Sequence, residues 1–145
     1  MNYDIVEEAE DAIATAIRAC RYMTENFENS TKQYEDAIEK YTQALNLIPE
    51  PKYYYEASTW VFTAKGDALF YLEDYNQALN MFQAALKCPN GIGNPFVLVR
   101  IGECFFEIDS LDNAKNYLLQ AYMVEGEEIF ENEDEKYFEV IKDLI

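Results

Sequence analysis

Asp67 and Glu103 are a pair of carboxylates that lie 36 residues apart in matching surroundings. Trp60, Thr63, Asp67 and Phe70 form one stretch; Phe96, Val99, Glu103 and Phe106 form the other. In both, the order is aromatic, β-branched, acidic, aromatic. Two carboxylates work as acid and base only when their surroundings hold the two pKa values apart, and a solvated helix face does nothing of the kind. Such a stripe suits recognition instead, with carboxylates that pair Lys or Arg and aromatics that act as desolvated anchors. These eight residues are the expected partner-binding surface. The same aromatics would also serve simply to pack against a first or a final helix.

Other routes to catalysis find little in the chain. It contains no His, which removes the commonest general base and metal ligand. Gly91-Ile-Gly lacks the Lys and Ser/Thr of a phosphate-binding loop. In the acidic run, Asn132, Asp134 and Lys136 break the ligand alternation of a calcium loop, and no Gly occupies its centre. Cys20, Cys88 and Cys104 are odd in number and never close enough for a two-Cys metal motif, so they read as small buried apolar residues. No enzyme activity, metal or cofactor is expected.

The elements that would position the stripe emerge from a repeat. Gly66, Ala78 and Ala85 recur as Gly102, Ala114 and Ala121, and Leu69 and Phe82 recur as Phe105 and Leu118, all at a spacing of 36 residues. A degenerate copy lies upstream, where Tyr34, Ala37, Tyr41 and Ala44 repeat the spacing of Tyr75, Ala78, Phe82 and Ala85, before Pro49. Repeats of this period are helical hairpins whose apolar faces are completed by their neighbours. At the Gly positions a missing β-carbon lets one helix approach the next, and the Ala positions give the second helix a flat stripe for that approach. Helical geometry then puts Phe62, Leu69, Leu98, Ile101 and Phe105 on the face toward the partner helix, with the aromatic and acidic stripe about a quarter turn away.

Gly late in the first helix, then Ala, a large apolar residue and Ala in the second, resembles the tetratricopeptide repeat. Lys65 departs from the family's Leu, Phe62 and Leu98 from its Trp, and the closing Pro is clear only at Pro49. The resemblance implies an all-α, right-handed superhelical solenoid of three antiparallel helix pairs plus a C-terminal capping helix. Its parts would be a degenerate first pair over 1–50, a second repeat over 51–88, a third over 94–126, and an acidic segment with the capping helix over 127–145. It also implies that the stripe lines a concave groove. Asp67 and Glu103 would repel the acidic peptides gripped by chaperone-binding members. The strings at Ile48-Pro-Glu-Pro, Ala57-Ser-Thr-Trp, Gly93-Asn-Pro-Phe and Ala121-Tyr-Met-Val-Glu-Gly are similar to those of small free-standing bacterial members, some of which are immunity proteins for polymorphic toxins.

Seven helices are expected. The first spans about Asp4 to Met23 and is followed by a long polar turn from Thr24 to Lys32. The second spans Gln33 to Leu47. The third starts near Pro51 and runs to about Leu72, and Asp74 caps a fourth that ends near Lys87. Asn94 and Pro95 open the fifth, Ser110 the sixth, which ends near Val124, and Asn132 with Glu135 forms a capping box for the last, which carries Tyr137, Val140, Ile141 and Leu144. The 145 residues fit one domain, and the 28 acidic against 11 basic residues give a net charge of -17. That charge repels nucleic acid and steers in a basic protein, which a cognate toxin domain could be. An acidic amino terminus and the lack of a long apolar run favour a cytoplasmic protein without membrane contact. A scaffold or co-chaperone that holds short basic or amphipathic peptides is the competing expectation.

Overall fold

The computed structural model describes residues 30–145 together with the single position Ala14. The expected helix from Asp4 to Met23, most of the polar turn after it, and Cys20 lie outside the described residues. The remainder is helical, with no strand among the described residues: α1 (Ser30–Leu47), α2 (Glu56–Tyr71), α3 (Tyr75–Leu86), α4 (Pro95–Glu107), α5 (Leu111–Glu125) and a short α6 (Glu135–Glu139). Single 3-10 turns occupy Lys52–Tyr54, Gly126–Phe130 and Lys142–Leu144. No helix among the described residues is long and apolar enough to cross a membrane.

Three helix starts are fixed by side-chain caps, at Asp74, Asn94 and Asp134, whereas Tyr55 before α2 and Ser110 before α5 make no such bond. Asp74 accepts from the Gln77 backbone N–H at 3.3 Å, and Asn94 Oδ1 accepts from the Phe96 and Val97 N–H groups at 3.0 and 3.4 Å, with Pro95 in the first turn of α4. Three starts differ from expectation. α1 already includes Ser30, inside the expected polar turn. After Pro51 the chain makes a 3-10 turn, and Tyr55 is extended at φ -107°, so α2 begins only at Glu56. The last helix is capped by Asp134, which accepts from the Lys136 N–H at 3.1 Å, and not by Asn132. Because the chain turns through Gly126–Phe130 first, α6 is left with five residues; Tyr137 and Ile141 are buried, and Leu144 is exposed.

Both tight connections use one geometry. Glu73 at φ 62° and Asp109 at φ 64° end α2 and α4 in the left-handed region. In each, the next residue's N–H reaches back to the last turn, Asp74 to the Leu69 carbonyl at 3.0 Å and Ser110 to the Phe105 carbonyl at 2.8 Å. This is the Schellman closure, repeated at the 36-residue spacing of the Gly and Ala pattern. Three-residue connections of this kind make α2/α3 and α4/α5 antiparallel pairs. Helices pack on their chain neighbours, α1 on α2, α2 on α3, α3 on α4 and α4 on α5.

The core has two parts. Ala37, Tyr41 and Ala44 of α1 meet Val61, Phe62, Leu69, Ala78, Phe82, Val97 and Ile101 in one; in the other, Leu98 and Val99 of α4 join Ala114, Leu118 and Ala121 of α5 with Phe130, Tyr137 and Ile141 from the segment after Gly126. The face expected to meet the partner helix is turned inward, with Phe62, Leu69, Leu98 and Ile101 buried and Phe105 half-buried, although Ile101 joins the first part of the core and not the α5 cluster. A β-carbon at Gly66 would lie 2.8 Å from Phe82 Cε1, and one at Gly102 would lie 2.6 Å from Leu118 Cγ and 3.0 Å from its backbone nitrogen. Both opposing side chains are fully buried and have no room to withdraw.

Gly→Ala in a helix gains about 1 kcal/mol of propensity, whereas overpacking a closed core costs roughly 1–3 kcal/mol, so the clash decides the sign where backbone is involved. Gly102→Ala is therefore expected to lower the thermal midpoint by several degrees, and by more than Gly66→Ala, which meets only a ring edge. Calorimetry of the two variants checks this order; an unchanged midpoint for Gly102→Ala would show that α4 and α5 separate freely.

Candidate functional site

Arg100, in the middle of α4, is 4% exposed. Its Nε donates to Asp67 Oδ1 at 2.7 Å, Nη1 donates to Glu103 Oε1 at 2.8 Å and also to Glu133 Oε1, and Nη2 donates to the Tyr71 hydroxyl at 3.1 Å. The guanidinium lies against three rings, 4.7 Å from the Phe70 centroid, 4.9 Å from Phe96 and 5.5 Å from Tyr71. α2 supplies Asp67, Phe70 and Tyr71, α4 supplies Phe96 and Glu103, and Glu133 comes from the acidic run before α6. Flat, permanently charged and ringed with donors, the guanidinium suits stacking and multiple carboxylate bonds together.

Three carboxylates around one cation leave an excess of negative charge inside the protein. Glu103 is wholly buried, and its Oε2 meets no donor. Burial pushes its carboxyl up to about 9, and the Glu133 carboxylate beside it pushes the same way, while Arg100 pulls down. Protonation of Glu103 gives the unpartnered Oε2 a hydrogen to donate and lowers the charge excess by one. Asp67 is also raised by burial, against the pull of Arg100. The solvated face on which the sequence places these carboxylates is thus buried at Glu103 and partly covered at Asp67, and the surroundings do shift their pKa values.

The expected surface residues divide into two groups. Val99 and Glu103 are buried, and Phe106 is half-buried with its ring 5.5 Å from that of Tyr137 in an edge contact, all covered by the segment after Gly126. Phe70 is half-buried against Tyr71 and Tyr75, and Asp67 is held by Arg100. In place of a partner's Lys or Arg, the cation on Asp67 and Glu103 is this chain's own. Trp60, by contrast, is 62% exposed, and with Thr63 and Phe96 it lines a 220 Å³ pocket. Glu56, Thr59, Pro89, Asn90 and Asn94 complete that pocket. Sequence reasoning passed over Arg100, the lone basic residue of a mostly apolar α4 with Glu103 three residues on, which is the signature of a buried ion pair.

The acidic run forms a second concavity of 540 Å³, walled by Glu127, Glu128, Glu131, Glu133, Glu135 and Glu139 around Phe130 and Phe138, with Lys142 at its edge. Glu107 ties this end down, accepting from the Tyr137 hydroxyl and from Lys136 Nζ, each at 2.7 Å. Cys88 and Cys104 are buried free thiols; burial raises both, Cys104 to about 12, so they stay protonated. No group of three or more His, Cys, Asp or Glu among the described residues is set to hold a metal ion. Neither a scan of family models nor a search of curated proteins returns a match for the chain.

A folded-state pKa raised from 4.5 to about 9 means that the folded protein keeps a proton that the unfolded chain releases. Its stabilising effect is complete below pH 4.5 and is lost progressively as pH rises toward 9, at up to about 1.4 kcal/mol per pH unit for one proton. The thermal midpoint should fall between pH 6 and 9. Glu103→Gln, which keeps the shape and the donor of the protonated acid, should flatten that slope. A slope that is absent in the parent, or unchanged in the variant, would contradict a protonated Glu103.

Proposed function

We propose that the chain is a tetratricopeptide-like interaction module that binds a basic protein. The observation that carries this reading is the exposed Trp60 beside Phe96 at a small pocket, on a chain with a net charge of -17. An exposed Trp at a concavity is the composition of an interface anchor, and the surplus of acid favours a cationic partner and repels nucleic acid. The recurrence of the Gly contacts and of the Schellman turns at one spacing supports a stacked helical repeat.

Within this reading, the sequence strings favour an immunity protein that blocks one toxin domain in a stoichiometric complex. The competing form is a scaffold or co-chaperone for basic peptides, and the side-chain-sized pocket favours it. Affinity separates the two: a dedicated inhibitor works at nanomolar Kd or below, a peptide holder nearer micromolar.

Affinity capture from the native cell would supply the partner, and titration at two ionic strengths would then test the site. Trp60→Ala with Phe96→Leu is expected to raise the dissociation rate at least about tenfold, as loss of an anchor does. Glu127→Gln, Glu128→Gln and Glu131→Gln together should slow association and flatten its salt dependence. A partner that is acidic, or a folded Trp60/Phe96 variant that binds as the parent does, would refute the reading.

A further inference from the structure

The pocket beside Trp60 is too small for a metabolite, since small-molecule sites usually span about 300–1,000 Å³, against 220 Å³ here. It has room for a side chain. Most polar groups around it are already engaged within the protein. Thr59 Oγ1 donates to the Pro89 carbonyl at 2.6 Å, Thr63 Oγ1 donates to the Thr59 carbonyl at 2.7 Å, and Asn94 Oδ1 caps α4. Glu56 is the exception. It is exposed, carries the only charge among the described residues that line the pocket, and accepts a bond from Asn90 Nδ2 at 3.0 Å on Oε1. A carboxylate has about four acceptor positions, so further donors can be taken.

Three kinds of occupant can be weighed. An apolar side chain would fill the space but would desolvate Glu56 without pairing it. An anion would be drawn by the first turns of α2 and α4, yet a helix end carries only about half a charge. The Asn94 cap already occupies two N–H groups of α4, and Glu56 opposes the anion with a full charge of its own. A cation on an alkyl stem meets no such conflict. Its stem packs on the rings of Trp60 and Phe96, and its head reaches both the carboxylate and the aromatic faces.

We infer that this pocket receives a lysine or arginine side chain of the protein partner, with its stem between Trp60 and Phe96 and its charged head at Glu56. The inference rests on the reading of the chain as a binder of a basic protein, and it locates that recognition in one pocket. Charge complementarity selects the occupant, because the pocket's carboxylate and the acidic surface around the protein attract the same sign of charge.

Trp60 is the only Trp in the chain, so its emission reports this pocket alone. The probe is a nine-residue arginine–serine peptide titrated against the whole protein, beside a counterpart in which neutral citrulline replaces each arginine and one in which glutamate does. The arginine peptide is expected to give a saturable change in Trp60 emission, which the citrulline and glutamate peptides do not. Glu56→Gln should weaken it about fivefold or more. Asp112→Asn, which removes the same unit of charge from an exposed position on α5, should change it less than twofold. Equal response to citrulline, or a Glu56→Gln protein that titrates as the parent does, overturns the inference. If the captured partner binds while Trp60 emission and the Glu56 variant stay unmoved, the pocket is excluded and the binding reading stands; if no basic protein binds, both fall.

Discussion

A guanidinium cannot be left unpaired inside a protein, and burial of Arg100 sets the terms for everything around it. Its Nε and Nη atoms need acceptors, which draws Asp67 of α2 inward and makes Glu103 of α4 face the core. Its flat faces need polarisable neighbours, and Phe70, Tyr71 and Phe96 provide them. A third carboxylate, Glu133, closes the site from the segment after Gly126, and the apolar contacts of Phe130, Tyr137 and Ile141 hold that segment in place. Such an ion cluster adds less stability than an apolar core of the same volume would. What it adds is register, since α2, α4 and the acidic segment satisfy it in one arrangement.

The charge of the chain is therefore of two kinds. Asp67, Glu103 and Glu133 are structural, turned inward and matched to one cation. The other acids of the 540 Å³ cleft and Glu56 at the aromatic pocket remain available to solvent, and with further exposed acids such as Glu73, Asp109 and Asp112 they contribute to the field a partner meets. Trp60 and Phe96 occupy matching repeat positions but do different work: Trp60 is open, whereas Phe96 touches both the pocket and the arginine.

How much could be read in advance depended on whether the signal was local. Asp74 and Asn94 were legible as caps because capping involves residues two or three apart, and Gly66 and Gly102 were legible because close helix approach requires them wherever it occurs. The Glu73 and Asp109 turns were not, since neither carries the Gly that normally marks a left-handed residue. The start at Asp134 was missed because Asn132 and Asp134 are chemically equivalent as caps, and only the preceding 3-10 turn decides between them. On the stripe, helical phase gave correct directions relative to α2 and α4 but could not say that residues after Gly126 would fold over Val99, Glu103 and Phe106. That covering is tertiary, and its one sequence trace was the lone Arg100.

Asp67 and Glu133 each lie 33 residues from Arg100, on opposite sides along the chain. Helices that pack chiefly on their chain neighbours behave as a row of weakly linked units, able to fray from either end. Ties of this span remove that freedom, because loss of the terminal segment strips a buried ion of its partner two helices away. Arg100 thus ties together helices that are not chain neighbours, so unfolding is expected to be more cooperative than local stacking alone would allow.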